Sequence, residues 1–193
     1  MKLAGVVLAS GFSKRFRNDK LLKPLMGKPV LYWCIEALKF FDFRAVVLRP
    51  EQIRFYEIPA NASVLVNKRA HLGMSAALKL AVSWTPYEAE GLGIILGDMP
   101  FVKKVVERLV EVFNEGRCRV VAAGLRGRPV NPAIFSRPVF HELMMIEGDV
   151  GAREVLSRVD VCVVDVDENL LIDVDTDDDL RRAELYSRDL YGL

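Results

Sequence analysis

A chain of 193 residues, 51% apolar and 27% charged, is long enough to bury a full core and has the composition of a globular protein. Its 27 basic and 26 acidic side chains leave a formal charge of +1, which excludes a general electrostatic attraction to nucleic acid. Met1-Lys2 and the strand-like run after them are too short for a signal peptide, and no apolar run reaches the length of a membrane span. No membrane partner is therefore expected, and the expected location is cytoplasmic. Cys34, Cys118 and Cys162 stand far apart and are odd in number, so they read as small hydrophobes in a reducing compartment, with neither a disulfide framework nor a cysteine metal site expected. His71 and His141 are too few to form a metal-binding histidine cluster.

The first apolar run, Leu3 to Ala9, predicts a buried strand. It leads into Leu8 to Pro24, where a small-residue turn (Ala9, Ser10, Gly11) precedes four cations, Lys14, Arg15, Arg17 and Lys20. Small residues let backbone N–H groups approach an anion, and cations at fixed offsets neutralise a polyphosphate. The same pattern also suits a solvated strand-to-helix loop. GxxxxGK[ST] and GxGxxG are both absent, which removes the P-loop and the dinucleotide fingerprint of an NAD-type oxidoreductase.

Helical spacing of Leu31, Ile35 and Leu38 predicts a helix from Val30 to Phe40. Short strands are predicted at Ala45–Leu48, stopped by Pro50, and at Ser63–Val66. A helix over Ser75–Trp84 follows, then a strand at Leu92–Leu96, a helix at Val102–Phe113 and a strand at Arg119–Ala123. A looser region and a last strand and helix complete the chain. Continuous apolar runs predict strands covered on both faces, hence an α/β fold: a mostly parallel, Rossmann-like sheet in three αβα layers, one domain over residues 1–193. In such a sheet the ligand sits at the carboxyl ends of the strands.

The candidate chemistry falls where strands run out. Asp98, in Gly97-Asp98-Met99-Pro100, either caps the next helix or holds Mg²⁺ opposite the basic loop. Asp173 to Asp179 loads a helix start with acids; Asp175 or Thr176 is the expected cap, with Asp177, Asp178 and Asp179 solvated. Gly73 opens the helix that Ser75 is expected to cap, and such a helix start also suits a base edge or an anion. His71 is expected to be structural or exposed. Arg126 and Arg128 lie in a Gly/Pro loop, and Asp149 is a candidate cap before Arg153.

Five of these stretches occur in an order that resembles the molybdenum cofactor guanylyl- and cytidylyltransferases, the MobA/MocA type of single-domain nucleotidyltransferase. They are Leu8-Ala9-Ser10-Gly11-Phe12-Ser13-Lys14-Arg15-Phe16 with Lys20 and Pro24 to Leu31; Gly73-Met74-Ser75-Ala76; Gly97 to Pro100; Gly148 to Arg153; and Asp173 to Thr176. Arg17 stands where that family has glycine, and Asp177 where it has proline. The resemblance implies a nucleotide-diphospho-sugar transferase-like fold and transfer of a nucleoside monophosphate from a triphosphate to a phosphate-bearing acceptor, with pyrophosphate released. It implies Arg15, Lys20 and Asp98 as catalytic residues, with Arg15 on the β- and γ-phosphates and Lys20 on the α-phosphate. Leu8, Ala9, Ser10, Gly11, Lys20, Gly73, Ser75 and Arg153 would contact nucleotide or acceptor. Asp98 would hold Mg²⁺, for which Mn²⁺ substitutes, with Asp175 as second ligand or outer-shell partner and Asp173 behind it. The Gly73 and Gly148 motifs lean towards CTP and molybdopterin. GTP, with molybdopterin or cobinamide phosphate as acceptor, is the alternative, and a non-catalytic nucleotide- or pterin-binding carrier is the rival from another class. The resemblance also implies molybdoenzymes or cofactor-insertion proteins as partners.

Overall fold

Leu3–Leu8 is buried at every position, the mark of a strand covered on both faces. The computed structural model describes residues 1–12 and 19–191. In chain order they form β1 (Leu3–Leu8), β2 (Pro24–Leu25), β3 (Lys28–Pro29), α1 (Val30–Ile35), β4 (Phe43–Leu48), β5 (Ser63–Val66), α2 (Met74–Trp84) and β6 (Gly91–Leu96). Then follow α3 (Lys103–Asn114), β7 (Val120–Leu125), β8 (Arg128–Ser136), α4 (Phe140–Met145), α5 (Arg153–Leu156), β9 (Cys162–Asp165) and α6 (Asp177–Tyr191). Seven strands make one sheet in the order β5-β4-β1-β6-β8-β7-β9, and β2 pairs with β3 in a small hairpin. β4, β5 and β6 join β1 in a parallel set, β9 runs parallel to β7, and β8 runs antiparallel to both its neighbours.

The pleat sorts β1 between two cores. Leu3 and Val7 join Leu31, Cys34, Val105, Leu109 and Phe113 on the face covered by α1 and α3. Ala4, Val6 and Leu8 join Ala77, Leu78, Leu143 and Leu156 on the face covered by α2, α4 and α5. Gly5 and Gly93 make room for the Phe41 ring; a Cβ at either position would lie 2.3 or 2.4 Å from it. β1 lies between β4, reached by a crossover to one side, and β6, reached to the other. That reversal is a topological switch point, where an open sheet leaves a crevice at its strand ends.

Three expectations fail here. The predicted helix at Val30–Phe40 is α-helical only to Ile35 and continues as a 3₁₀ turn over Glu36–Phe40. The Gly/Pro loop at Leu125 to Pro132 is a hairpin, with Arg126 and Gly127 turning β7 into β8. Pro129 and Pro132 disguise the strand, yet β6 pairs with β8 only from Ala133 onward, so the proline-bearing half has one free edge. Cys118 and Cys162 form a disulfide across the starts of β7 and β9, their Cα atoms 6.0 Å apart, which overturns the reading of all three cysteines as unpaired. Cys34 is the buried free thiol, and burial pushes its pKa up.

The disulfide closes a loop across a sequence separation of 44 and ties the edge strand β9 to the sheet. Reducing it is expected to lower the unfolding free energy by about 2–4 kcal/mol. Urea unfolding with and without dithiothreitol measures this, and Cys162→Ser should reproduce the reduced value. An unchanged midpoint would mean that the bridge contributes nothing to stability.

Candidate active site

The carboxyl ends of β1 and β6 open into a cleft of about 340 Å³. Larger grooves lie elsewhere, among them one of about 660 Å³ beside Met1 and Arg117 and one of about 640 Å³ along Tyr32 and Lys39. Neither gathers the acidic and loop residues that share the smaller cleft.

The acids assemble for a local reason. In Ile172-Asp173-Val174-Asp175 apolar and acidic residues alternate. Ile172 and Val174 are buried in a small core with Leu25, Val30, Phe101 and Ala183, which leaves Asp173 and Asp175 to the cleft. The Val174 N–H donates to the Asp98 carbonyl at 2.9 Å and so fastens this segment beside the end of β6. One carboxylate oxygen from each of Asp98, Asp173 and Asp175 lies within 4.8 Å of the others. Lys20 starts the 3₁₀ turn Lys20–Leu22 on the opposite wall. Its Nζ donates to Asp98 Oδ2 at 2.7 Å and to Asp175 Oδ1 at 2.6 Å.

Lys20 is largely buried, and burial pulls its pKa down; Asp98 and Asp175 outweigh that and hold it at about 12. Asp173 keeps solvent contact at the cleft mouth. Partial loss of water around its carboxyl, with the charge of Asp98 beside it, pushes it up to about 7. Asp98 Oδ1 is buried and has no hydrogen-bond donor among the described residues. Three hard oxygen donors around an unsatisfied carboxylate oxygen suit a divalent cation.

The wall facing the acids is built from strand ends. Ala9 donates to the Val47 carbonyl at 3.0 Å, and Gly97 to the Leu8 carbonyl at 2.9 Å. Ser10 is buried and accepts from Asn67 Nδ2 at 2.9 Å. Gly73 has φ of +93°, and a Cβ there would lie 2.5 Å from the Gly148 backbone. The motifs at Gly73 and Gly148 therefore meet as one wall, joined by Ser75 N–H to the Gly148 carbonyl at 3.1 Å. Gly73→Ala is expected to cost about 1–3 kcal/mol through backbone strain and that contact, read as a lowered Tm; an unshifted Tm would mean the wall relaxes freely.

Leu8 to Gly11, Lys20, Gly73, Asp98 and Asp175 thus share one cleft, with Asp173 as a third acid and exposed His71 at its edge. Arg15 lies outside the described residues. Ser75 is buried in the first turn of α2, makes no side-chain cap and does not line the cleft. Arg153 is exposed, and it too is absent from the lining. Asp149 does line the cleft and is not a cap, because α5 begins only at Arg153 after Ala152. Asp98 is not a cap either; the residue before α3 is Val102. Thr176 caps α6 in a reciprocal pair with Asp179, whose Oδ2 accepts from the Thr176 N–H at 2.8 Å, so Asp179 is not merely solvated. Arg49 and Asn67 were missed. Both directly follow apolar runs, and the strand-end rule that singled out Asp98 applies equally to them.

Known proteins share this architecture. A protein from Aquifex aeolicus named "Probable molybdenum cofactor guanylyltransferase" is 27% identical over 183 residues, 91% of this chain and 87% of its own length. The crystal structure of an Rv0371c homologue from Mycobacterium sp. strain JC1 superposes with a TM-score of 0.83 at 29% identity, over 97% of this chain and 98% of that one. Rv0371c of Mycobacterium tuberculosis H37Rv in complex with manganese superposes at 0.80 with 28% identity, over 97% and 100% of the two chains. The description of the MobA-like NTP transferase domain matches residues 5–163. The chain belongs to the MobA-like NTP transferase family.

Proposed function

We propose that the protein transfers a nucleoside monophosphate from a triphosphate to the phosphate of a small acceptor, molybdopterin in the first instance. The observation that carries this reading is Lys20 seated on Asp98 and Asp175 at the mouth of β1. It puts a cation able to neutralise a phosphate beside carboxylates able to hold a metal.

An acceptor phosphate oxygen attacks the α-phosphorus in line. The bond from that phosphorus to the bridging oxygen of the β-phosphate breaks, and pyrophosphate leaves with the electron pair. The acceptor phosphate is already an anion at neutral pH, so no protein nucleophile is required. The protein's contribution is positioning and charge neutralisation. Backbone of Ala9, Ser10 and Gly11 lines base and ribose, with Gly73 closing the base side. Lys20 neutralises charge developing on the α-phosphate, and Arg15 is assigned to the β- and γ-phosphates. Arg153 is assigned to the acceptor phosphate; its exposure leaves it free to meet a ligand from outside the cleft. The Ser75 N–H is spent on Gly148, so Ser75 acts by holding the wall. Asp98 and Asp175, with Asp173, would hold Mg²⁺ or Mn²⁺, which supplies Lewis-acid neutralisation of the phosphates when bound. Asp98 Oδ1, buried with no donor among the described residues, supports such an ion.

The Gly73 and Gly148 motifs support CTP as donor. The name of the Aquifex relative favours the alternative, GTP. Thermal unfolding with ATP, CTP, GTP and UTP, with and without Mg²⁺, tests the reading, followed by pyrophosphate release with molybdopterin. A triphosphate at a hundredfold excess over Kd should stabilise by about 2.7 kcal/mol. A shift with CTP alone supports cytidylyl transfer, and one with GTP alone moves the assignment to guanylyl transfer. Binding without pyrophosphate release would point to a carrier, and no shift with any triphosphate would sink the reading.

A further inference from the structure

Gly11 and Phe12 line the cleft, as does Lys20, which follows Asp19, and one polar cluster ties the two points together. Arg49 follows β4 and is only 9% exposed. Its Nη1 donates to the Gly11 carbonyl, its Nε donates to Glu51 Oε1 at 2.7 Å, and Nη2 lies 3.8 Å from Asp19 Oδ2. The guanidinium also covers the Phe12 ring, 4.8 Å from its centroid. Gln52, 1% exposed, accepts from the Arg49 N–H at 2.8 Å and donates from Nε2 to Asp19 Oδ2 at 2.7 Å. The other oxygen of Asp19 accepts from the Leu21 N–H at 3.2 Å and opens the turn that carries Lys20. Buried Tyr56 adjoins the cluster, and burial together with the Asp19 charge keeps its hydroxyl protonated.

We infer that Arg49, Gln52 and Asp19 form a clasp that positions Gly11 and Lys20 for the nucleotide. Arg49 and Gln52 are positioning residues: they hold Gly11 and, through Asp19, Lys20 at a fixed separation across the cleft. A guanidinium suits the task because its rigid planar fork spreads its donors across a carbonyl and two carboxylates, whereas an ammonium gathers its three donors at one point. Burying that many polar groups is costly unless all are partnered, so the cluster has one well-defined arrangement. Each missing member leaves the others unsatisfied in a buried place, and the loop ends are the parts free to shift. This inference rests on the cleft being the nucleotide site.

The test is a double-mutant cycle on nucleotide affinity. CTP and GTP, each with Mg²⁺, are titrated calorimetrically into wild type, Arg49→Met, Asp19→Asn and the double variant, with Tm recorded for each. Both single variants should weaken binding about tenfold, and the double variant should be no weaker than the worse single. Arg49→Lys should recover part of the loss, and in a pyrophosphate assay KM should rise more than kcat falls. Destabilisation alone would lower Tm and leave the affinity of the folded fraction unchanged. Wild-type affinity in a folded Arg49→Met protein, or fully additive losses, would overturn the clasp. Should Arg49→Met fail to fold, Gln52→Leu removes the link to Asp19 alone and is held to the same tenfold loss. Wild type that binds a triphosphate without turnover would overturn the proposed transfer and leave the clasp to be judged on affinity. Wild type that binds neither nucleotide would overturn both.

Discussion

Asp98→Asn is expected to lower turnover about a thousandfold or more while the fold survives. A cation held at the acids supplies several kcal/mol of charge stabilisation, and each 1.36 kcal/mol is a factor of ten in rate. Asp98 belongs to the acidic cluster, with Oδ2 on Lys20 and Oδ1 buried without a donor among the described residues. An amide at that position keeps the shape and loses the charge. Stability moves the other way. Three acids face the ammonium of Lys20, and removing one relieves repulsion that the folded state tolerates for the sake of the site. The Tm should therefore hold or rise. Pyrophosphate release, Mn²⁺ titration and thermal unfolding of the same preparation distinguish the outcomes. Turnover within tenfold of wild type would remove Asp98 from the metal site, and a collapse in Tm would recast it as a structural residue.

Lys20→Met is the more discriminating change, because two of its effects have opposite sign. Turnover should fall by about two orders of magnitude or more, since the proposed role of Lys20 is to neutralise charge on the α-phosphate. Metal affinity in the absence of nucleotide should rise. Lys20 Nζ is bound to one oxygen of Asp98 and one of Asp175, so an incoming cation competes with it for the same carboxylates. Unit charges about 4 Å apart interact by roughly 4 kcal/mol at an effective dielectric of 20, so a tightening of about tenfold is a modest expectation. The variant should also unfold at lower temperature without metal and regain part of the loss with Mn²⁺, as linkage requires. Mn²⁺ binding followed by electron paramagnetic resonance gives the affinity directly. An affinity equal to or weaker than wild type would mean that Lys20 and the metal do not share these oxygens.

The two variants fit one description of the cleft. Lys20 bridges Asp98 and Asp175, and a divalent ion at these acids would compete with its ammonium for the same oxygens. No helix among the described residues is long and apolar enough to cross a membrane.

Much of the fold was legible because buried parallel strands leave an unmistakable trace. Ala45–Leu48, Ser63–Val66 and Leu92–Leu96 are short apolar runs with sharp ends, and each is a strand within two residues of its expected limits. β8 was not legible because Pro129 and Pro132 signal a break locally, and only the pairing with β7 reveals that the free edge tolerates them. The site divides in the same way. Asp98 and Gly11 stand at strand ends, which the strand pattern exposes. Arg49 shares that strand-end position and Gln52 carries no local signal, yet the role of both depends on partners at Gly11 and Asp19, 38 and 33 residues away.

By itself the sequence determined the strand and helix order, the strand-end placement of the acids and the basic loop, because burial and alternation act between near neighbours in the chain. It also carried the family resemblance, through motifs in a set order. Tertiary structure alone decided which of those residues meet. The order of strands brings Lys20 to Asp98 and Asp175, the buried alternation at Ile172 and Val174 turns Asp173 into the third acid, and the pairing of β7 with β9 joins Cys118 to Cys162. It also keeps Ser75 and Arg153 out of the cleft. These contacts span tens to more than a hundred residues of chain, and they form only when the sheet closes that distance.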